Sequence, residues 1–351
     1  MKILVLGYRL ENRYDASRYY LLKELAKKEK VILYGLERLP QKLFPMSFFS
    51  NLPLLSRIDY KIGTLWTGLR RNLRSAQVIE NVEKMVQNES PDIILVEDFF
   101  PSATRWKSLS RVKVPKALII DDFHRDPEKR LKYLEESNID LVLFGTKQCM
   151  NIPRVKRWIK RKKVNSKWLP LCVNTKIFRD YGLPRKFDVV SSGRCSEKVY
   201  PFRVVIRDTL SVTPGIGFSM PEHVTSELIK GKPSSEVLRF GNYARFLSQS
   251  KIFIFGSSIY NYALAKYTEG MACNTLVMAS MPIDGKDLHF VPGENFVEVN
   301  QRNFVEKIRY YLEHEDERCQ IALTGLQTVR KYHTLEKRVK HLITYLESFC
   351  K

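Results

Sequence analysis

The chain has 351 residues and a formal net charge of +21, with 59 Lys and Arg residues against 38 Asp and Glu residues. This length predicts two domains, each large enough to bury its own hydrophobic core. Six scattered cysteines without a Cys-x-x-Cys pair argue against a zinc site and a disulfide framework, and favour a reducing compartment. No apolar run approaches the roughly 18 residues of a membrane-spanning helix, and the first apolar run is too short for a signal peptide. We therefore expect a cytoplasmic protein.

In the first half of the chain, short apolar runs alternate with amphipathic charged stretches, a pattern typical of βαβ units and a parallel sheet. Leucines at helical spacing predict a helix over residues 17–28, between the first two strands. The G-x-G-x-x-G fingerprint does not follow the first strand, which speaks against a dinucleotide site in this half. The predicted strands are residues 2–6, 31–34, 93–96, 116–120 and 141–144.

A second α/β series follows the basic run 154–163, which we interpret as a solvated helix face near the interdomain linker. The closing stretch 335–349 places Val339, Leu342 and Leu346 on one helical face, so it predicts a docked helix. We predict an N-terminal domain over residues 1–165, a C-terminal domain over 166–334 and a closing helix over 335–351. The other elements predicted in this half are strands at 168–173, 187–191, 251–255 and 275–278, and helices at 302–313 and 318–332.

Residues 265–280 carry one carboxylate, Glu269, at the predicted head of a small-residue helix that runs into a short strand. Helix starts attract anionic and polyhydroxyl ligands, because their first N–H groups are unpaired and the helix dipole is positive there. A carboxylate in such a place can accept hydrogen bonds from both hydroxyls of a ribose. Taken alone, these residues equally fit a helix–strand unit of any α/β domain, with Glu269 on its surface.

The loop after the strand 187–191 is rich in cations. Gly193 permits a tight turn there, and Arg194, Lys198 and Arg203 follow within the next ten residues. Because ligands of open α/β sheets bind outside the carboxyl ends of strands, this loop is expected to face a cleft. Its cations would neutralise a diphosphate leaving group. A basic surface loop without a ligand is the alternative.

Four segments in this order resemble the donor domain of group-1 (family 4-like) glycosyltransferases and of the related CgeB-like proteins. The segments are residues 169–178, the loop 193–203, residues 243–254 and residues 265–280. The resemblance implies an α/β protein of the GT-B fold, in which two Rossmann-like domains face each other across a cleft. It also implies that the C-terminal helix docks back on the first domain.

The same resemblance implies an activity. A sugar would move from a nucleoside-diphosphate sugar, UDP- or GDP-linked, to an acceptor, with retention of configuration and without a bound metal or other cofactor. Glu269 would hold the ribose, flanked by Lys266 or Tyr267, and the loop cations would stabilise the departing diphosphate. The nucleotide-binding residues predicted in this way are Gly193, Arg194, Lys198, Arg203, Tyr243, Lys266, Tyr267 and Glu269.

Three positions depart from the family pattern. Many members carry two glutamates eight residues apart, and the first of them is associated with the sugar ring. Asn261 stands at this first position. Nucleotide binding is therefore better supported than sugar recognition. Asn274 and Cys172 replace common glycines. We read these changes as divergence rather than as loss of activity.

In the first half, the strand 116–120 leads into a cluster of ionisable residues. Retaining GT-B enzymes often place a His in a loop after a first-domain strand, near the donor sugar. The resemblance therefore gives His124 a catalytic role, with Asp122 orienting it or substituting for it, and histidine titrates near neutrality as a general base requires. One alternative is a surface turn with Asp122 as a helix cap. The other is a metal site formed by Asp121, Asp122, His124 and Asp126.

The acceptor is not identified by the sequence, and a glycan, a lipid-linked molecule and a protein all stay open. The acceptor-side candidates are Glu97, Asp98, Arg9 and Arg13. Residues 43–74, aromatic at one end and rich in arginine at the other, predict either an interfacial element on an anionic membrane surface or a helix–loop that covers the sheet.

Residues 1–165 hold 33 Lys and Arg residues against 19 Asp and Glu residues. This excess of positive charge favours phosphorylated or anionic partners. It leaves open a nucleic-acid-binding or DNA-modifying protein of the same fold, although interleaved aromatic and basic residues for stacking bases are not evident. The altered family positions leave open a catalytically silent GT-B scaffold.

Overall fold

The computed structural model describes residues 1–8, 17–36, 81–97, 106, 108–124, 126–222 and 240–350, and these ranges contain two parallel sheets. The first sheet has six strands in the order β2-β1-β3-β4-β5-β6. Side chains alternate along its strands, so that Leu4 and Leu6 pack on one face while Ile3 and Val5 pack on the other. The strands are β1 (Lys2–Tyr8), β2 (Lys30–Leu36), β3 (Ile93–Glu97), β4 (Lys116–Ile120), β5 (Leu141–Phe144) and β6 (Asn165–Trp168).

Helices cover both faces of the first sheet, as parallel strands require. Helix α5 buries Val155 and Trp158 and leaves its Lys and Arg side chains exposed, which confirms the prediction of a solvated basic face. The helices described in this part are α1 (Ser17–Leu25), α2 (Val82–Glu89), α3 (Pro127–Glu136), α4 (Lys147–Met150) and α5 (Pro153–Lys162).

The second sheet has five strands in the order β11-β10-β9-β7-β8, all parallel. Its strands are β7 (Phe187–Val190), β8 (Phe218–Ser219), β9 (Ser250–Ile254), β10 (Leu276–Ala279) and β11 (Val297–Glu298). The helices described around it are α6 (Pro201–Leu210), α7 (Phe240–Ser248), α8 (Ala265–Ala272), α9 (Phe304–Glu313) and α10 (Glu315–Tyr332).

The last helix, α11 (Leu335–Cys350), returns to the first sheet. Its residues Leu335, Val339, Leu342 and Leu346 are buried in the cluster that contains β1, β3 and α1 side chains. This contact confirms that the closing helix docks back on the first domain. Together with the two parallel sheets it matches the predicted architecture of two Rossmann-like domains.

One predicted strand is wrong. The sequence favoured a strand at residues 168–173, whereas the structure has β6 (Asn165–Trp168), which pairs with β5 at the edge of the first sheet. β6 alternates between exposed and half-buried residues, so it lacks the continuous apolar run that identifies the central strands. The predicted boundary between residues 165 and 166 falls inside this strand.

The carboxyl ends of the strands in the two sheets face each other across a cleft. Residues after β4 contact residues after β9, and Lys147 after β5 forms an ion pair of 2.8 Å with Asp287, which lies beyond β10. Among the described residues, no helix is long and apolar enough to cross a membrane.

Candidate functional site

The loop after β7 makes a tight turn at Gly193. This glycine has a φ of +98°, in the left-handed region that disfavours side chains. A Cβ atom at this position would lie 2.8 Å from the Arg203 guanidinium and 3.2 Å from the Lys266 amine. Glycine therefore lets two cations approach the end of β7 from different helices.

Arg203 lies in the first turn of α6 and is almost fully buried. Its guanidinium donates hydrogen bonds to the carbonyl oxygens of Arg194 and Gly256, both at 2.9 Å, and it lies over the ring of Tyr200. Burial lowers the pKa of Arg203. These contacts connect the loop after β7 to the loop after β9, so Arg203 holds the two loops together.

Lys266 lies in the first turn of α8, with its amine directed at the turn at Gly193. Its Nζ donates to Ser192 Oγ at 2.7 Å and lies 3.4 Å from the Tyr243 hydroxyl. Burial, and then the charge of Arg203, lower the pKa of Lys266 to about 7, while the carboxylate of Glu269 acts in the opposite direction. The amine is thus poised to gain or lose a proton near neutral pH.

Tyr243 and Ser192 complete the surroundings of this amine. Tyr243 projects from α7, and its hydroxyl lies 2.7 Å from Ser192 Oγ. Burial, and then the charge of Glu269, raise the pKa of Tyr243 well above its ordinary value. The phenol therefore stays neutral and supplies a hydrogen-bonding group beside the lysine.

Glu269 is half-buried in the second turn of α8, three residues after Lys266. Residues three apart share one face of a helix, so both side chains belong to the same polar face. The prediction that Glu269 stands at the head of the helix is wrong, because α8 begins at Ala265. Its charge acts on Lys266 and Tyr243.

Three other predicted residues lie elsewhere. Tyr267 has no exposed surface; it stacks on Phe290 and donates its hydroxyl hydrogen to the Ser280 carbonyl, so in this structure it is a core residue and not a wall of a pocket. Arg194 and Lys198 have exposed side chains on the loop after β7. They can reach a ligand in the cleft only from its solvent side.

The first domain contributes the loop after β4. Phe123 anchors this loop by packing in the core on Phe144, and the buried Arg130 donates to the carbonyl of Asp121 at 3.2 Å. Asp122 and His124 flank the anchor and face the second domain. Asp122 adopts a φ of +50°, a left-handed conformation that aspartate tolerates better than most residues.

Two tyrosines of the loop after β9 meet this pair. The Tyr262 hydroxyl donates to Asp122 Oδ1 at 3.0 Å, and the Tyr260 ring lies on the His124 ring with 3.7 Å between their centroids. Asp122 and His124 are therefore gathered at the cleft, as predicted from their place after β4. In this structure their contacts come from the second domain.

The two asparagines at altered family positions both have left-handed backbones. Asn261 has a φ of +48° and donates from its side chain to the Met281 carbonyl; Asn274 has a φ of +55° and donates to Asp180. Asparagine is among the residues that adopt this conformation most readily after glycine. This explains how Asn274 replaces a glycine, and it gives Asn261 a role in the shape of its loop.

Glu97, at the carboxyl end of β3, is buried. The other acceptor-side candidates, Arg9, Arg13 and Asp98, lie outside the described residues, and so does the stretch 43–74. In the described ranges, no three His, Cys, Asp or Glu side chains are grouped as metal ligands, and these ranges include the cluster at Asp121–Asp126.

Several solved structures have a similar architecture over almost the whole chain. The chain is similar to a sucrose-phosphate synthase from Thermosynechococcus elongatus, with 13% identity, a TM-score of 0.66 and 99% of each chain covered. Anabaena HepE in complex with UDP and glucose gives 14% identity and a TM-score of 0.62, over 99% of this chain and 100% of that one. A glycosyltransferase from Rickettsia africae gives 14% identity and a TM-score of 0.60, over 100% and 99%.

A family model described as glycosyl transferase-like matches residues 223–344. The chain has the GT-B fold, and the matched residues are similar to that glycosyl transferase-like family. The matched residues contain α8 with Lys266 and Glu269, and the loop with Tyr260 and Tyr262. No curated protein matches the chain. The likeness to CgeB-like proteins stays a prediction.

Four residues of this site are not predicted by the sequence. Ser192 and Gly256 are small residues directly after β7 and β9, the places where a strand of an open α/β sheet meets its ligand. That position is the signal that could have found them. Tyr260 and Tyr262 flank Asn261, and no spacing in the sequence indicates that they contact the other domain.

Proposed function

We propose that this protein transfers a sugar from a UDP- or GDP-linked donor to an acceptor. The observation that carries the proposal is the Lys266 amine at the Gly193 turn, with Glu269 one helical turn away on the same face. A cation and a carboxylate at this spacing suit the diphosphate and the ribose of one nucleotide. The complex of the similar-fold protein HepE with UDP and glucose supports the same ligand class.

The diphosphate would lie against the turn at Gly193. Lys266 would meet it from inside the domain, and Arg194 and Lys198 would approach from the solvent side. Arg203 would act indirectly, because its guanidinium is engaged by the carbonyl oxygens of Arg194 and Gly256. Positive charge in a site that excludes water stabilises a departing diphosphate by several kcal/mol, on the order of a thousandfold in rate.

Glu269 would accept hydrogen bonds from the ribose hydroxyls, and the Tyr243 hydroxyl would complete the polar wall beside it. When the sugar leaves, the bond between its anomeric carbon and the phosphate oxygen breaks, and a bond to the acceptor oxygen forms. The acceptor proton needs a base, and we propose His124 for this role, with Asp122 orienting it. We further propose retention of configuration and a reaction without a bound metal.

Thermal stability in the presence of nucleotides tests the donor assignment. UDP or GDP at a hundred times its dissociation constant should stabilise the folded protein by about 2.7 kcal/mol, and ADP serves as the base-specificity control. If none of the three nucleotides shifts the melting curve, the donor assignment fails.

Two variants then separate the parts of the nucleotide. Glu269→Ala should weaken binding of uridine or guanosine alone, whereas Lys266→Met should spare the nucleoside and weaken the diphosphate. The opposite pattern would overturn the two roles.

The acceptor and the location of the protein belong to the same proposal. We propose a cytoplasmic enzyme that works at an anionic membrane surface when its acceptor is lipid-linked, and otherwise on a glycan or a protein. The alternatives of a nucleic-acid-binding protein and of a silent scaffold are not favoured by the comparisons. Sedimentation of the protein with anionic vesicles, at low and at high salt, tests the membrane part.

A further inference from the structure

The loop after β9, residues 255–264, is fastened to its own domain at alternate residues. Three hydrogen bonds join the backbone of residues 259–263 to other parts of the domain: Ile259 to Val199 at 2.9 Å, Asn261 to Ile283 at 2.8 Å and Ala263 to the carboxylate of Asp284 at 2.8 Å. The Asn261 side chain adds a fourth bond, to the Met281 carbonyl. A loop held at so many points offers a rigid support for the side chains between them.

Those side chains are Tyr260 and Tyr262, and they turn to the first domain. The Tyr262 hydroxyl bonds to Asp122 Oδ1 at 3.0 Å, and the ring is only 7% exposed. Tyr260 lies on His124 with the ring planes inclined by 31°. Alternate residues of one loop therefore bind their own domain and orient two residues of the other.

We infer that Tyr262 and Tyr260 are positioning residues for Asp122 and His124, an inference that rests on the proposed function of that pair. A hydrogen bond to one carboxylate oxygen fixes the rotation of the Asp122 side chain. The Tyr260 ring, packed on the imidazole at an inclination of 31°, restricts the orientation of the His124 ring. Because the tyrosines belong to the donor-side loop, the pair takes its reactive geometry only when the two domains are closed.

A purely adhesive contact between the domains is the competing explanation. Losing such a contact would change the stability and the donor affinity through domain closure, but it would not lower kcat selectively. The Lys147–Asp287 ion pair, which likewise crosses the cleft with a distance of 2.8 Å, provides the matched control. Lys147→Ala weakens the closure without touching Asp122 or His124.

Steady-state kinetics with UDP-glucose as the donor probe separate the two explanations. Tyr262→Phe should lower kcat about tenfold, the usual effect of losing a hydrogen bond to a charged group, with KM for the donor nearly unchanged. Asp122→Ala combined with Tyr262→Phe should be no slower than Asp122→Ala alone, because each change removes the same hydrogen bond. Tyr260→Ala should lower kcat as well, and Tyr260→Phe should restore it.

NMR of the His124 ring provides a readout without turnover. Tyr260→Ala should move the His124 ring-proton resonance, while Tyr260→Phe and Lys147→Ala leave it in place. Additive effects in the double variant, an equal loss of kcat in Lys147→Ala or an unmoved resonance would overturn the inference. A wild-type protein that binds no nucleotide refutes the proposed function instead, and the resonance still decides whether Tyr260 orients His124.

Discussion

Binding of a nucleoside diphosphate is expected to weaken as the pH rises from 7 to 9, because Lys266 loses its proton over this range. Its pKa is lowered from 10.5 to about 7, so the site disfavours the charged amine by about 5 kcal/mol relative to a lysine in water. At pH 8 about one protein in ten carries the charge, and at pH 9 about one in a hundred. A diphosphate raises the lysine pKa again, since an opposite charge favours the ammonium form.

The dissociation constant for UDP should therefore rise about fivefold between pH 7 and 8 and about tenfold between pH 8 and 9, while it changes by no more than about twofold between pH 6 and 7. The terminal phosphate of the nucleotide loses its last proton near pH 6, as phosphate monoesters do, so its charge is constant over the upper range. Isothermal titration in buffers of different ionisation enthalpy should show the uptake of about one proton per UDP at pH 8.

Two substitutions assign this effect to the lysine. Lys266→Met should bind UDP weakly at every pH, and Lys266→Arg should remove the pH dependence because the guanidinium stays charged. Lys186→Met changes an exposed lysine of the same domain and should behave like the wild-type protein. A flat dissociation constant between pH 7 and 9, or a wild-type pH profile in Lys266→Met, would show that Lys266 is not the group that titrates.

Two further predictions concern stability. Asn274→Ala should cost about 1–2 kcal/mol in the free energy of unfolding, because alanine is strained at a φ of +55° and the bond to Asp180 is lost; Asn274→Gly should keep the backbone and lose less, and equal losses in urea titrations would contradict this explanation. Leu342→Ala should cost about 2–5 kcal/mol, since Leu342 is fully buried between α11 and the first sheet; a change below about 0.5 kcal/mol would mean that α11 does not dock stably.

The central strands could be predicted from the sequence because their physical signal is local. β4 and β5 lie inside the sheet, and both faces of each are buried, so an unbroken apolar run marks them. β6 has the opposite character, since an edge strand buries little and its residues are mostly polar. Its identity comes from pairing with β5, a contact that no local pattern contains.

The candidate site could likewise be predicted only in part. Position after a strand correctly brought Gly193, Asp122 and His124 to the cleft, because this position depends only on the order of the elements. The role of each cation could not be predicted, because it depends on which groups the side chain contacts in the folded structure. Arg203 is engaged by two carbonyl oxygens, whereas Arg194 points to solvent.

Helix α8 places Lys266 and Tyr267, the two residues that the sequence named as neighbours of the ribose, on different faces. Residues 266 and 269 are one helical turn apart and share a face, while residue 267 is rotated by about 100° from its predecessor. Gly270 lets the helix approach β9 and β10 closely, since a Cβ atom there would lie 2.6 Å from a Val277 methyl carbon. Tyr267 and Met271, four residues apart, lie on the core side and are fully buried, whereas Lys266 and Glu269 are partly exposed.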